Sequence, residues 1–273
     1  MKLVDYHQVQ ITGVGKRTIL FSHGFGCNQT MFRYLVADFQ KDFRCVTYNL
    51  AGTGTTNPQL YRRERYQTLE GYADDAIAVC DTLGLRDVIH VGHSVSSMIA
   101  AIAARKRPEL FASLVMIGPS PRYINDGDYF GGFTEQDIED LLATMESNYL
   151  GWSAQMAPTI MGNAERPALG GELTERFCEV DPDIARYFAR VTFTSDNRED
   201  LAHITQPTLI LQCSDDIIAS EAVGRYVHEN TPNSEFVMLD ARGHCPNLSA
   251  PGPTIAAIRK FLARQAEPKT QPA

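Results

Sequence analysis

The stretch Val88-Ile89-His90-Val91-Gly92-His93-Ser94-Val95-Ser96-Ser97-Met98-Ile99-Ala100-Ala101-Ile102-Ala103 decides the fold. Its first four residues form an apolar run of strand type, its last six are small and apolar, and a serine stands at the tip of the turn between them. Strand, sharp turn and helix with serine at the tip describe a nucleophile elbow. Such a turn has a chemical purpose. A serine hydroxyl is a weak nucleophile, and a strained turn holds its oxygen clear of the backbone, above a helix N-terminus whose amides stabilise an oxyanion. Ser94 is therefore the candidate nucleophile. The common pattern is G-x-S-x-G, and here the fifth position is Ser96, the next smallest residue that can sit there. By itself the stretch also fits a plain strand-to-helix turn with a capping serine.

A nucleophilic serine needs a base, and the base needs an orienting acid; on this fold the chain order is serine, acid, histidine. Late in the sequence, Pro207-Thr208-Leu209-Ile210-Leu211-Gln212-Cys213-Ser214 reads as a buried strand with Asp215-Asp216 at its end. The next strand, Glu235-Phe236-Val237-Met238-Leu239, leads through Asp240-Ala241-Arg242 into Gly243-His244-Cys245-Pro246. Side chains that act in open parallel sheets lie beyond the C-terminal ends of strands, so Ser94, the acid and His244 emerge on one rim. Either Asp215 or Asp216 serves as the acid, or the pair caps the helix expected from about Ser220 to Glu229. Of the other histidines, His7, His90, His203 and His228 have no chemical neighbourhood in sequence, and His93 points away from the serine if the elbow is real.

An oxyanion hole has its own segment. After the strand Thr18-Ile19-Leu20-Phe21-Ser22 comes His23-Gly24-Phe25-Gly26, whose glycines let backbone amides approach a ligand. The donors expected are the backbone N–H of Phe25 and that of Val95, the residue after the nucleophile.

From about Arg122 to Asp196 the strands stop and helical patterns take over. Thr134-Glu135-Gln136-Asp137 is a capping signal before Ile138, Leu141, Leu142 and Met145, and Asp181-Pro182 opens a helix with Ile184, Tyr187, Phe188 and Val191. An all-helical insertion over the catalytic rim is a lid. Its aromatics Tyr129, Phe130, Phe133, Trp152, Phe188 and Phe193, with Met156, line an apolar pocket or form the lid's own core.

The motifs taken together resemble a known family. His23-Gly24-Phe25-Gly26, Arg65-Tyr66-Gln67-Thr68-Leu69-Glu70-Gly71-Tyr72-Ala73, Gly92-His93-Ser94-Val95-Ser96-Ser97, Gly131-Gly132-Phe133 and Gly243-His244-Cys245-Pro246 are similar to the α/β-hydrolases that comprise bacterial RsbQ and the plant karrikin and strigolactone receptors. Gly118-Pro119-Ser120-Pro121, Asn148-Tyr149-Leu150-Gly151-Trp152 and Leu211-Gln212-Cys213-Ser214-Asp215-Asp216-Ile217-Ile218-Ala219 resemble the bacterial branch more. The resemblance, from about residue 3 to about residue 264, implies Asp216 as the triad acid and Phe133, Trp152 and Phe193 as pocket residues. Two positions depart from it: the family usually has aspartate at Asn49 and an aromatic at Met156.

Fold and function follow as expectations: an α/β-hydrolase with a mostly parallel sheet, core at residues 1–121 and 197–266, helical cap at 122–196 and a disordered tail at 267–273. The chain is expected to be a serine hydrolase that cleaves a small hydrophobic ester or lactone through Ser94, His244 and Asp216, with Phe25 and Val95 as oxyanion hole and Phe133, Trp152, Met156 and Phe193 at the substrate. A serine elbow disfavours haloalkane dehalogenase and epoxide hydrolase chemistry, which need aspartate there; carbon–carbon bond hydrolysis and perhydrolysis stay open. Resemblance to RsbQ implies a second role, a ligand-sensing signalling protein with slow or negligible turnover and a phosphatase-type cytoplasmic partner.

Composition agrees with one large α/β domain: 273 residues, 44% of them hydrophobic, are enough for a sizeable core. A formal net charge of -8 argues against nucleic acid and anionic membrane as partners. No stretch approaches the roughly 20 apolar residues of a membrane span, and no signal-peptide core opens the chain, so a cytoplasmic location is expected. Six cysteines, Cys27, Cys45, Cys80, Cys178, Cys213 and Cys245, show neither C-x-x-C nor metal-ligand spacing, and hydrolysis through the triad requires no metal or organic cofactor, so none is expected. Cys245 follows the candidate base and is read as passive.

Overall fold

A computed structural model of the protein describes residues 2–266. The chain opens with one helical turn, α1 (Leu3–Tyr6), and a short strand, β1 (Gln10–Thr12). Strands and helices then alternate through β2 (Thr18–Ser22), α2 (Arg33–Phe39), β3 (Arg44–Thr47), α3 (Glu70–Thr82), β4 (Val88–His93), α4 (Val95–Lys106) and β5 (Phe111–Ile117). Four helices follow without a strand between them: α5 (Glu135–Ser147), α6 (Tyr149–Met161), α7 (Pro167–Glu179) and α8 (Pro182–Phe193). Alternation resumes with α9 (Arg198–Leu201), β6 (Thr208–Asp215), α10 (Glu221–Asn230), β7 (Ser234–Arg242), α11 (Pro246–Ser249) and α12 (Pro251–Ala266).

The strands form one seven-stranded sheet in the order β1-β3-β2-β4-β5-β6-β7. Only the edge pair β1–β3 is antiparallel; the others are parallel. Every residue of β2 and β4 is buried, as expected of central strands covered on both faces. Along β2 the period of two sorts the side chains: Leu20 faces the core shared with α3 and α4, whereas Ile19 and Phe21 face the core shared with α2 and α12. Parallel pairing brings the C-terminal ends of β2, β4, β6 and β7 to one rim.

The excursion between β5 and β6 leaves and rejoins the sheet through a neck. Arg122 pairs with Asp196 in an antiparallel bridge and an ion pair of 2.7 Å, and the Asn197 N–H donates to the Pro121 carbonyl at 2.8 Å. Helix α5 starts at a capping box in which the Thr134 and Asp137 side chains satisfy each other's backbone amides. Helix α8 starts with Pro182 behind Asp181, whose carboxylate accepts the Asp183 and Ile184 N–H groups. The tail expected at 267–273 lies outside the described residues.

Candidate active site

Ser94 ends β4 and precedes α4, with φ +56° and ψ −124°. A non-glycine residue in the left-handed region is strained by about 1–3 kcal/mol. The surrounding backbone holds it there: the Ser94 N–H donates to the Ile117 carbonyl and the Ser97 N–H to the Ser94 carbonyl, both at 2.8 Å. The turn is so tight that a Cβ at Gly92 would lie 2.3 Å from the Ser96 carbonyl oxygen, so Gly92 has no substitute.

Ser96, where glycine is commoner, has a contact that glycine cannot make. Its hydroxyl donates to the His23 carbonyl at 2.6 Å and ties the elbow to the His23–Gly26 loop. His93 does the same on the other side, donating Nε2–H to the His244 carbonyl at 2.7 Å. Burial drives the His93 pKa down to about 3, with the nearby His244 adding to the effect, so the ring stays neutral. The loops that carry Ser94, His244 and Phe25 are thus joined by hydrogen bonds inside the protein.

His244 follows β7 and Asp216 follows β6. His244 Nε2 lies 2.7 Å from Ser94 Oγ, and its Nδ1 lies 2.7 Å from Asp216 Oδ2. The second carboxylate oxygen of Asp216 accepts the Ile218 N–H at 2.9 Å and the Ala219 N–H at 3.1 Å. Burial alone would raise this carboxyl; the charge and hydrogen bond of His244 and the two amides outweigh burial and hold it below its ordinary value. An ionised Asp216 fixes the proton of His244 on Nδ1 and leaves the Nε2 lone pair facing the serine. Asp215 is exposed and its backbone carbonyl accepts the Gly243 N–H at 2.7 Å, so of the two aspartates Asp216 is the one beside His244.

Val95 is the first residue of α4, where helix geometry leaves the N–H without an intrahelical partner. Phe25 lies in the loop bonded to Ser96, and its ring packs among aromatics of α6, α7 and α8, with centroid distances of 6.5 Å to Trp152, 6.0 Å to Phe177, 5.5 Å to Phe188 and 6.0 Å to Phe193. Gly24 lies against the elbow: a Cβ there would come 2.9 Å from His93 Nδ1 and 3.2 Å from Ser94 Cβ.

Above Ser94 and His244 lies a narrow cavity of about 30 Å³. It is a slot for a slender group. Of the four substrate-pocket residues expected, Trp152 and Phe193 line it. Phe133 and Met156 do not: both are partly buried against the apolar core, and Phe133 lies 6.5 Å from the Tyr123 ring. Sequence reading missed Tyr123, Ile160, Leu173, Phe177, Thr192 and Ile218, all of which face the cavity. Two signals were at hand, since Ile218 follows the acid by two residues and Tyr123 follows the neck. Burial raises the Tyr123 phenol well above its usual value, and the nearby Ser94 hydroxyl offsets this in part.

A second serine–histidine contact lies deeper. Ser22 Oγ is 2.7 Å from His90 Nε2 and donates its proton to the Tyr48 hydroxyl at 2.9 Å. Nδ1 of His90 is buried without a hydrogen-bond partner, so no carboxylate orients this ring as Asp216 does His244. Ser22 and His90 are fully buried, and burial drives the His90 pKa down to about 3. Ser22–His90 is a core contact, not a nucleophile and its base.

Asn49 is buried and uses its amide at both ends: Oδ1 accepts the Gln29 N–H at 2.9 Å and Nδ2 donates to Gln8 at 2.7 Å. An aspartate could not make the second bond. Cys27 and Cys245 line the cavity, and burial raises both thiols, Cys27 to about 12. They are protonated thiols with little nucleophilic character. Among the described residues, no group of three or more His, Cys, Asp and Glu side chains is placed to hold a metal ion, and no helix is long and apolar enough to cross a membrane.

Fold and rim chemistry define the class, and comparison with known proteins gives the family. Residues 17–251 match the α/β hydrolase fold family, and the chain belongs to it. The karrikin insensitive 2 receptor CA of Petunia hybrida is 38% identical over 259 residues, which cover 94% of this chain and 96% of that protein. The strigolactone esterase D14 of Arabidopsis thaliana is 38% identical over 263 residues, 96% and 98% of the two chains. A solved hydrolase from Oleispira antarctica is similar at 39% identity with a TM-score of 0.93, over 96% of each chain.

Proposed function

We propose that this protein is a serine hydrolase acting on a small hydrophobic ester or lactone, with Ser94 as nucleophile, His244 as base and Asp216 as orienting acid. The observation that carries the reading is the 2.7 Å approach of His244 Nε2 to Ser94 Oγ at the floor of a narrow, mostly apolar cavity. His244 takes the Ser94 proton as Oγ attacks the carbonyl carbon, and the oxyanion rests on the N–H groups of Phe25 and Val95. Collapse breaks the bond to the leaving alkoxide, which receives the proton from His244. A water then gives a proton to His244 and its oxygen to the acyl carbon, and His244 returns that proton to Ser94 Oγ as the acid is released. Asp216 stabilises the imidazolium in both halves. Residues 122–196 act as the cap, with Trp152 and Phe193 bounding the acyl site and Phe133 and Met156 supporting it from behind.

Labelling with a sulfonyl fluoride tests this. Ser94 alone should be modified, and Ser94→Ala should abolish hydrolysis of a short-chain aryl ester while leaving the thermal midpoint unchanged. Activity near wild type in Ser94→Ala, or label on Ser96, would refute the assignment.

The receptor named among the relatives favours a second reading, in which slow turnover or binding changes the cap; the phosphatase-type signalling partner in the cytoplasm is what the resemblance to RsbQ adds to it. Turnover separates the two: a metabolic esterase works at roughly 1–1000 per second, a sensor far more slowly. Affinity purification of wild type and Ser94→Ala, with and without an ester ligand, is the direct test. No partner under any condition, with fast turnover, would leave the hydrolase alone.

A further inference from the structure

Helical serines and threonines commonly return their hydroxyl to the carbonyl three or four residues earlier. In the four cap helices, Thr144, Ser147, Ser153, Thr159 and Thr174 all do so, bonding to the carbonyls of Asp140, Thr144, Tyr149, Gln155 and Gly170. Thr192 is the exception. It sits in the last turn of α8 with 1% of its surface exposed, and its Oγ1 is buried without a hydrogen-bond partner among the described residues. It also lines the cavity that holds Ser94 and His244.

A buried hydroxyl left unpaired destabilises a protein by about 1–3 kcal/mol, whereas valine has the same shape without the penalty. Of the other polar groups around the slot, Ser94 and His244 bond each other and His93 Nε2 is bonded to the His244 carbonyl, while His93 Nδ1, on the side of Gly24, is buried without a hydrogen-bond partner as Thr192 Oγ1 is. Thr192 is thus the buried polar group that helices α5 to α8 bring to the slot without a hydrogen-bond partner among the described residues.

We infer that Thr192 is a specificity-determining residue, donating a hydrogen bond to an oxygen carried by the acyl portion of the substrate. The inference rests on the hydrolase reading above and narrows its substrate class to oxygenated acyl groups: a slender ester or lactone with an ether, ketone or hydroxyl oxygen besides those of the scissile bond. The acyl group is the part that stays attached to Ser94 inside the slot, so an oxygen there meets Thr192 throughout the acyl-enzyme's life.

The test compares kcat/KM of wild type, Thr192→Val and Thr192→Ser on para-nitrophenyl butyrate, para-nitrophenyl methoxyacetate, in which an ether oxygen replaces a methylene, and para-nitrophenyl levulinate, which bears a ketone. Intrinsic ester reactivity cancels when the oxygenated-to-plain ratio is compared between variants. For at least one oxygenated ester this ratio should fall about tenfold in Thr192→Val and stay within about twofold in Thr192→Ser. Ratios unchanged in Thr192→Val for both oxygenated esters would overturn the inference. Thermal unfolding reads the same hydroxyl without any substrate: Thr192→Val should raise the midpoint, and a lowered midpoint would overturn the inference by revealing an internal partner. Failure of the wild type to hydrolyse all three esters would count against the hydrolase reading and leave the thermal result to decide on Thr192.

Discussion

Replacing Asp216 by asparagine isolates what the carboxylate does for His244. Oδ1 of Asp216 is held by two amides, at 2.9 Å from Ile218 and 3.1 Å from Ala219, and these donors accept only an oxygen as partner. The asparagine carbonyl must therefore take that place, which turns its NH2 toward His244 Nδ1, now 2.7 Å from Oδ2. Two donors cannot share that contact, so His244 moves its proton to Nε2 and Nδ1 becomes the acceptor. Nε2 then has no lone pair for the Ser94 proton, and the imidazolium loses its counter-charge. The loss expected in kcat is about three to four orders of magnitude, with the fold intact because shape and hydrogen-bond count at the site are kept. Steady-state hydrolysis of para-nitrophenyl butyrate, with the sulfonyl fluoride labelling rate of Ser94 and the thermal midpoint alongside, measures it. Asp215→Asn, at an exposed side chain, should change kcat less than about twofold. Asp216→Asn within tenfold of wild type, or a larger loss in Asp215→Asn, would refute the tautomer reasoning.

Three other outcomes follow from the geometry. Burial lowers His23 to about 4 and His90 and His93 to about 3, while the unfolded chain takes up these protons near 6.5, so this stability is complete above about pH 6.5 and is lost as pH falls toward the folded values. Each histidine contributes about 1.4 kcal/mol per pH unit in that window, so urea midpoints should fall steeply from pH 6 to pH 4, and equal midpoints at pH 7 and pH 5 would contradict it. Ser96→Ala removes the hydroxyl bonded to the His23 carbonyl and should lower kcat by about tenfold, with little change in KM and with partial recovery in Ser96→Thr; a change in KM alone would assign Ser96 to packing. Trp152→Ala and Phe193→Ala should each shift kcat/KM toward bulkier acyl groups across a chain-length series, whereas uniform loss with a lower thermal midpoint would place both rings in the cap's own core.

What the sequence determined by itself was carried by neighbouring residues. The run Val88–Val91, the small residue at 92 and the apolar run after Ser97 state strand, tight turn and helix within one short segment, because periodicity and local sterics act along the chain. The same holds for the capping signals at Thr134 and Asp181 and for the buried strand before Asp215. From these the α/β fold, its mostly parallel sheet and the candidate serine and histidine could be named. The tertiary structure decided whatever depends on side chains meeting across distant segments. Asp215 and Asp216 have the same chemistry at the same strand end, and a shift in the β6–β7 register between Cys213 and Asp215, with capture of one oxygen by Ile218 and Ala219, turns Asp216 to His244. Ser22–His90 and Ser94–His244 are both serine–histidine contacts of 2.7 Å; the carboxylate on His244 Nδ1, which His90 lacks, and the cavity above Ser94 tell them apart. Helical periodicity marks the apolar faces of α5 to α8, but which inward side chains reach the slot depends on how these four helices pack against one another and the sheet. That packing brings Trp152, Phe193 and Thr192 to the cavity and leaves Phe133 and Met156 behind it, because long-range contacts, absent from any local stretch of sequence, fix where each helix lies.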